Sequence, residues 1–252
     1  RALRLLRPEA EAGDSIAENL LGAIHDDGLG LPRDVLEARR WYERSALQGN
    51  VQGQMNLGML LRDGGPGLAV DGEGARRWLQ ASADGGYGPA FAALGRLHED
   101  GIGGAQDLEQ AAALYAQGRA AGDPWASEYL GHLYREGRGV PEDLAQARAL
   151  FTEAASAGLG QSMNNLAYMM EHGIGGAEDI DGAESLYRRG RETGHLLSSY
   201  NLAWLLFLHR DRDTVRAEIF ALCDEIVVAP DAAEYDRFFG ECAILRKHLA
   251  AL

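Results

Sequence analysis

The feature that most constrains this chain is an internal repeat of about 36 residues. A leucine followed by glycine or alanine recurs at intervals of 36, 37, 36, 36 and 36 residues. The six repeated leucines are Leu21, Leu57, Leu94, Leu130, Leu166 and Leu202. A fixed period of this length is typical of arrays of two-helix units, because one unit cannot bury its apolar face without a neighbour.

Each unit carries two turn signals. Seven residues after the leucine, the first five copies have a glycine that can end a helix in the left-handed conformation: Gly28, Gly64, Gly101, Gly137 and Gly173. Each turn then reaches an aspartate that can cap the next helix: Asp34, Asp71, Asp107, Asp143 and Asp179. The Gly-Arg-Gly stretch at 137–139 has the look of a phosphate-binding loop. Because related turns recur in five copies, a structural turn is the better interpretation.

The combined pattern A-x-x-x-L-G-x-x-Y-x-x-G-x-G-V-x-x-D-x-x-x-A-x-x-W-Y-x-x-A-A-x-x-G resembles the Sel-one-like repeat family of tetratricopeptide-like proteins. The resemblance covers residues 15 to 210, about four fifths of the chain. It implies an all-α fold, a right-handed solenoid of antiparallel helix pairs. It also implies a scaffold or adaptor that binds proteins, rather than an enzyme.

The repeat phase divides the chain into three parts. Residues 1–13 match the second helix of a partial preceding repeat, and residues 14–209 hold five repeats plus the first helix of a sixth. Residues 210–252 lose the turn glycines and carry Pro230 between two helical runs, which is typical of divergent C-terminal capping helices. We expect the charged residues of that cap to face solvent, for example Arg237, Glu241 and Lys247.

Composition limits the classes of partner. The formal net charge of −14 argues against nucleic acid and against docking on an anionic membrane, since both need clustered basic residues. No apolar run is long enough for a membrane span. Of the 24 basic residues 23 are arginine, which suggests a bacterial source. We expect a soluble protein of the bacterial cytoplasm or periplasm.

The first helix of each repeat, here called the A helix, provides the candidate binding groove; the second is the B helix. With the repeated leucine at 0°, positions −5, −2, +2 and +5 point away from the apolar stripe. The resemblance places that face on the concave side of the solenoid. Aromatic residues, methionine and arginine are enriched there, as in interface cores. The predicted partner-binding residues are Gln52, Met55, Met59, Arg62, Arg96, Glu99, Trp125, Glu128, His132, Arg135, Gln161, Asn164, Tyr168, Glu171, Tyr200 and Trp204. The alternative is that the aromatic residues pack between helices and the partner binds elsewhere.

Other chemistry has weaker support. The chain has seven histidines but no compact metal-ligand motif and no cofactor motif. Glu99, His132 and Glu171 have a spacing that would let them converge across neighbouring helices. Cys223 and Cys242 are compatible with two buried thiols or with a disulfide across a helix hairpin.

We therefore expect an adaptor that holds another protein or an extended peptide in its concave groove. The alternative is a structural or regulatory segment of a larger protein, or of a complex that assembles by self-association. A metal-dependent hydrolase is a remote third interpretation.

Overall fold

The computed structural model describes residues 2–227 and 236–250, with side chains for residues 3–225 and 240–249. Pro230 and the side chain of Arg237 lie outside this part of the chain. Within it the secondary structure is helical, without strands, and consists of α1 (Ala2–Glu11), α2 (Ser15–Asp27), α3 (Val35–Leu47), α4 (Val51–Asp63), α5 (Gly72–Asp84), α6 (Gly88–Asp100), α7 (Leu108–Ala120), α8 (Pro124–Glu136), α9 (Leu144–Ser156), α10 (Gly160–Glu171), α11 (Ile180–Glu192), α12 (Leu196–His209), α13 (Arg212–Val227) and α14 (Asp236–Ala250).

The predicted aspartate caps are confirmed at the start of every B helix from α3 to α11. Each of the five side chains accepts backbone N–H groups of the first helical turn. At α7, for example, Asp107 Oδ1 accepts from the Gln110 N–H at 2.9 Å. The caps satisfy N–H groups that have no partner inside the helix, and the negative charge suits the helix dipole. The sequence therefore fixes where each B helix begins.

Close helix approach explains the small residue after the repeated leucine. At Gly95 an added Cβ would lie 2.6 Å from the Tyr115 ring on α7, so a larger residue would force α6 and α7 apart.

Close packing also explains the second glycine of the Gly-Arg-Gly turn at 137–139. Gly139 has φ 69°, and a Cβ there would lie 2.4 Å from the Leu108 carbonyl oxygen. The turn packs on the start of α7, which supports a structural role.

The chain divides into two compact units. The first comprises residues 1–133 and 137–141, and the second comprises residues 134–136 and 142–252. In the first unit each of the helices α1 to α6 contacts the next along the chain, and α2 also contacts α4. Its core includes Leu57, Leu79 and Leu94. The short turns of three to eight residues between these helices reverse the chain direction and so make antiparallel pairs.

The second unit repeats this arrangement. Helices α9 to α14 contact one another in sequence, α10 also contacts α12, and α12 contacts α14. The core around α12 includes Tyr187 and Leu202 together with Cys223 and Cys242, both of which are buried free thiols. The structure therefore has no disulfide between Cys223 and Cys242. Lys247 is exposed as expected, whereas Glu241 is half-buried.

Candidate functional site

The first unit contains a cleft between the A helices α4, α6 and α8, here called the first cleft. Its volume is about 300 Å³. It is lined by Met55, Met59, Arg62, Pro89, Ala92, Ala93, Arg96, Asp123, Trp125 and Tyr129. The five of these that the sequence predicted as groove residues are Met55, Met59, Arg62, Arg96 and Trp125. The structure thus brings together side chains that lie up to 70 residues apart in the chain.

The wall of the first cleft is aromatic and its rim is cationic. Trp125, which is 43% exposed, stacks on Tyr129 with ring centroids 6.0 Å apart. The Arg96 guanidinium lies 5.4 Å from the centre of the Tyr129 ring, within the range of a cation–π contact. Arg62 pairs with Asp63 at 2.6 Å. This surface suits an apolar side chain with an acidic neighbour.

Asp123 is the one acidic residue of the first cleft. It caps α8, with Oδ1 accepting the Trp125 N–H at 3.3 Å, whereas Oδ2 is buried without a hydrogen-bond partner. Burial raises the pKa of this carboxyl, and backbone hydrogen bonds from Trp125 and Ala126 oppose the rise only in part.

The second unit contains a cleft of about 310 Å³ between α10, α12 and α14, here called the second cleft. It is lined by Tyr168, Glu171, His172, Tyr200, Asn201, Trp204, Leu208 and Glu241. The four of these that the sequence predicted as groove residues are Tyr168, Glu171, Tyr200 and Trp204. The lining has two carboxylates and neither lysine nor arginine, so its charge is opposite to that of the first cleft's rim.

Four of the eight residues that line the second cleft carry aromatic rings. Tyr168 is 46% exposed and stacks on His172 with ring centroids 4.3 Å apart. Trp204 meets Phe207 edge-on at 5.9 Å, and its indole Nε1 is buried without a hydrogen-bond partner. The Tyr200 hydroxyl donates to the Glu241 carboxylate. Aromatic faces beside carboxylates are the surroundings that a cationic side chain prefers.

The predicted groove residues two positions before the repeated leucine lie mostly in the interior. Glu128 is fully buried, with Oε1 3.0 Å from His132 Nε2. Asn164 is 4% exposed and accepts a hydrogen bond from Asn201 at 2.9 Å. The Asn164–Asn201 hydrogen bond joins α10 to α12 and so connects successive repeats, whereas the Glu128–His132 contact lies within α8. Their direct contact with a partner stays a prediction.

The other predicted groove residues lie outside the two clefts. Gln52 and Gln161 are exposed. Glu99 is half-buried and paired with Arg138 at 3.0 Å. Arg135 lies 5.9 Å from the centre of the Phe151 ring.

Sequence reasoning missed several lining residues. Asp123 and Tyr129 belong to A-helix positions that were not assigned to the groove, although the aspartate before α8 is a readable cap signal. Glu241 had no usable signal, because the repeat pattern is lost before α14. A third cleft of about 390 Å³ in the second unit was also missed; it is lined by Arg148, Thr152, Ala155, Ser156, Leu166, Met170, Leu186 and Arg189.

The described part of the chain contains neither a metal-binding cluster nor a membrane-spanning helix. Among its described residues, no group of three or more histidine, cysteine, aspartate or glutamate side chains is placed to hold a metal ion. Nor does any helix in the described ranges have the length and apolar character required to cross a membrane.

Several solved structures of bacterial proteins are similar to this chain. A protective antigen of uropathogenic Escherichia coli strains displaying an SLR fold is 26% identical, with a TM-score of 0.80 over 98% of this chain and 51% of that protein. A Sel1 repeat protein from Oxalobacter formigenes is 25% identical, with a TM-score of 0.71 over 83% of this chain and 85% of its own. An immunity protein from Pseudomonas aeruginosa, 18% identical with a TM-score of 0.52 over 96% and 82%, shares the fold alone.

The chain thus spans 51% of the length of the Escherichia coli antigen. Comparison with curated protein sequences gives no match. The Sel1 repeat model matches five consecutive segments: 15–50, 51–87, 90–123, 126–159 and 160–195. These segments and the helix pairs that they describe confirm the expected all-α solenoid. Since the model matches more than half of the residues, the chain belongs to the Sel1 repeat family, whose helical arrays imply a protein–protein interaction scaffold.

Proposed function

We propose that this protein is an adaptor that binds a partner protein or an extended peptide on its A helices, with the first and second clefts as anchor sites. The observation that carries the proposal is the exposure of large aromatic side chains at formed clefts. Trp125 and Tyr168 leave 43% and 46% of their surfaces open to solvent. Burying a large apolar side chain contributes about 1.5–3 kcal/mol, so each cleft offers a strong anchor.

Site-specific photo-crosslinking tests this proposal. A benzophenone amino acid replaces Trp125 or Tyr168 in the source cells, and Leu36 serves as the matched control. Leu36 on α3 is also 46% exposed but lies outside both clefts. We expect a discrete adduct from each cleft position and none from the control. The partner identified by crosslinking is then purified without the crosslink. Its affinity is measured for the wild-type protein and for the variants Trp125→Ala, Tyr168→Ala and Leu36→Ala.

The expected result is a loss of affinity of at least about tenfold for the cleft variants, which corresponds to about 1.4 kcal/mol. The control variant keeps its affinity. Equal crosslinking from all three positions, or equal affinity of all three variants, would reject the clefts as the binding surface.

A further inference from the structure

Two glutamates occupy the same repeat position in the two units. Glu99 and Glu171 both stand five residues after the repeated leucine of their A helix. Each accepts a hydrogen bond from a tyrosine 16 residues later: Tyr115 donates to Glu99 at 2.7 Å and Tyr187 donates to Glu171 at 3.0 Å. The repeat therefore builds the same carboxylate–tyrosine pair twice.

The two carboxylates differ in their second partner. Glu99 Oε1 is paired with an arginine, Arg138, at 3.0 Å. That arginine stands 39 residues further along the chain, and the same spacing from Glu171 leads to Arg210. Arg210 instead pairs with Glu184, at 2.7 Å, and with Asp181. Both units therefore have an arginine 39 residues after the glutamate, but only in the first unit does this arginine form an ion pair with the glutamate.

Glu171 is left as a buried carboxylate beside a weak base. Its side chain is 8% exposed, and the ion pairs of the described residues give it only His209, whose Nε2 lies 3.7 Å from Oε1. That distance is longer than a hydrogen bond. A buried carboxylate is unfavourable unless a cation and hydrogen-bond donors compensate for its lost hydration. Glu171 also lines the second cleft, so a cation bound there would reach it.

We propose that the second cleft receives an arginine side chain of the partner, with its guanidinium paired to Glu171 and stacked on the aromatic wall. The proposal rests on the adaptor function above and specifies the chemistry of one anchor. A guanidinium fits better than an ammonium because it is planar, stacks on aromatic rings and binds carboxylates in a fork. Glu241, the second carboxylate in the cleft, also favours a cationic side chain, and the net charge of −14 attracts a basic segment of the partner.

A blocked pentapeptide, acetyl-Gly-Gly-Arg-Gly-Gly-amide, is a direct probe. Its binding is followed by NMR through the indole N–H signal of Trp204 at physiological salt. We expect a saturable shift with the arginine peptide and none with the peptide that carries citrulline, the neutral isostere. Glu171→Gln should weaken binding at least about tenfold, since it removes the charged acceptor of the guanidinium hydrogen bonds. Glu99→Gln makes the same change at the matching position and should leave the affinity unchanged.

Tyr168→Ala is the second variant, because it removes an exposed wall without entering the core. We expect it to weaken the arginine peptide while the helical content stays the same. A third peptide, acetyl-Gly-Gly-Lys-Gly-Gly-amide, presents an ammonium group in place of the guanidinium. The arginine assignment would be overturned if the citrulline peptide bound as well as the arginine peptide, if Glu171→Gln and Tyr168→Ala bound as well as wild type, or if the lysine peptide bound more tightly.

The crosslinked partner separates this inference from the adaptor function. A partner that loses affinity with Trp125→Ala but not with Glu171→Gln leaves the adaptor standing and rejects the arginine. Failure to crosslink at either cleft rejects the adaptor surface, whatever the peptide does.

Discussion

The first and second clefts are each lined by alternate helices of their own unit but offer opposite charge. Each lies among three alternate helices, α4, α6 and α8 in the first unit and α10, α12 and α14 in the second. The first has Arg62 and Arg96 beside Trp125, whereas the second has Glu171 and Glu241 beside Trp204. Packing in the core restricts the apolar stripe of each A helix to apolar or small residues. Positions on the opposite face are not restricted in this way. One repeat can therefore be specialised for different side chains of a partner.

The largest difference that we expect concerns the two tryptophans. Trp204 packs against the core of the second unit, whereas Trp125 is a surface wall of the first cleft. Trp204→Ala should lower the free energy of unfolding by about 3 kcal/mol, because truncating an aromatic side chain in a core leaves a cavity. Trp125→Ala should lower it by about 1 kcal/mol or less. Urea unfolding followed by circular dichroism measures both, and equal losses would contradict this view of the two walls.

The matched glutamates should respond to amide replacement with opposite signs. Glu171→Gln replaces a buried carboxylate that lacks a strong cationic partner and keeps the oxygen that Tyr187 bonds. We expect it to raise the free energy of unfolding by about 1 kcal/mol.

Glu99→Gln breaks the pair with Arg138, whose side chain is 40% exposed, so its loss should be only about 0.5 kcal/mol. The two variants are compared by urea unfolding in the same buffer. If Glu171→Gln is as destabilising as Glu99→Gln, the charge on Glu171 is already compensated and the contrast between the clefts disappears.

Asp123 should give the first cleft a distinctive dependence of stability on pH. Because burial raises the pKa of this carboxyl above its ordinary value of 3.8, the folded state binds its proton more tightly than the unfolded state. Its contribution to stability is therefore present below pH 3.8 and is lost as pH rises through the raised folded-state pKa. Asp123→Asn, which keeps the helix cap, should be more stable than wild type at pH 7 by about 1 kcal/mol or less, and equally stable in acid.

Glu225 in the second unit provides the opposite case. A hydrogen bond from Arg191 lowers the pKa of Glu225, so this group stabilises the fold at neutral pH and the contribution is lost as pH falls through its folded-state pKa. Glu225→Gln should therefore be less stable than wild type at pH 7 and should converge with it in acid. Thermal unfolding between pH 3 and pH 7 compares Asp123→Asn and Glu225→Gln with wild type. If the melting temperature of each variant followed that of wild type in parallel over this pH range, the pKa shifts assigned to Asp123 and Glu225 would be contradicted.

The smallest effect is expected at the rim of the first cleft. Arg96 and Asp100 are 3.8 Å apart and almost half exposed, so solvent screens their attraction. Asp100→Asn should change the free energy of unfolding by less than about 0.5 kcal/mol. A larger loss, measured by the same urea titration, would show that the rim charges are structural.

Much of the fold could be predicted from the sequence. The period, the small residue after each leucine and the capping aspartates act within one or two helices, so short-range rules describe them. Gly95 is small because Tyr115 packs on it, and Asp107 is acidic because α7 begins there. The clefts could be predicted only in part, since Trp125 and Tyr168 followed from helix phase whereas Glu241 lies where the repeat pattern has faded.

By itself, then, the sequence determined the helical repeat, its family and the starts of its B helices. Only the tertiary structure decided which polar residues of the A helices face a cleft and which are buried. Asn164 and Glu171 have similar phases on one helix and both are buried, yet only Glu171 lines the second cleft, whereas Asn164 bonds Asn201. The physical reason is that burial and ion pairing depend on side chains from the next repeat. Whether Arg210 reaches Glu171 or Glu184 is decided by the positions of three helices, which no local pattern specifies.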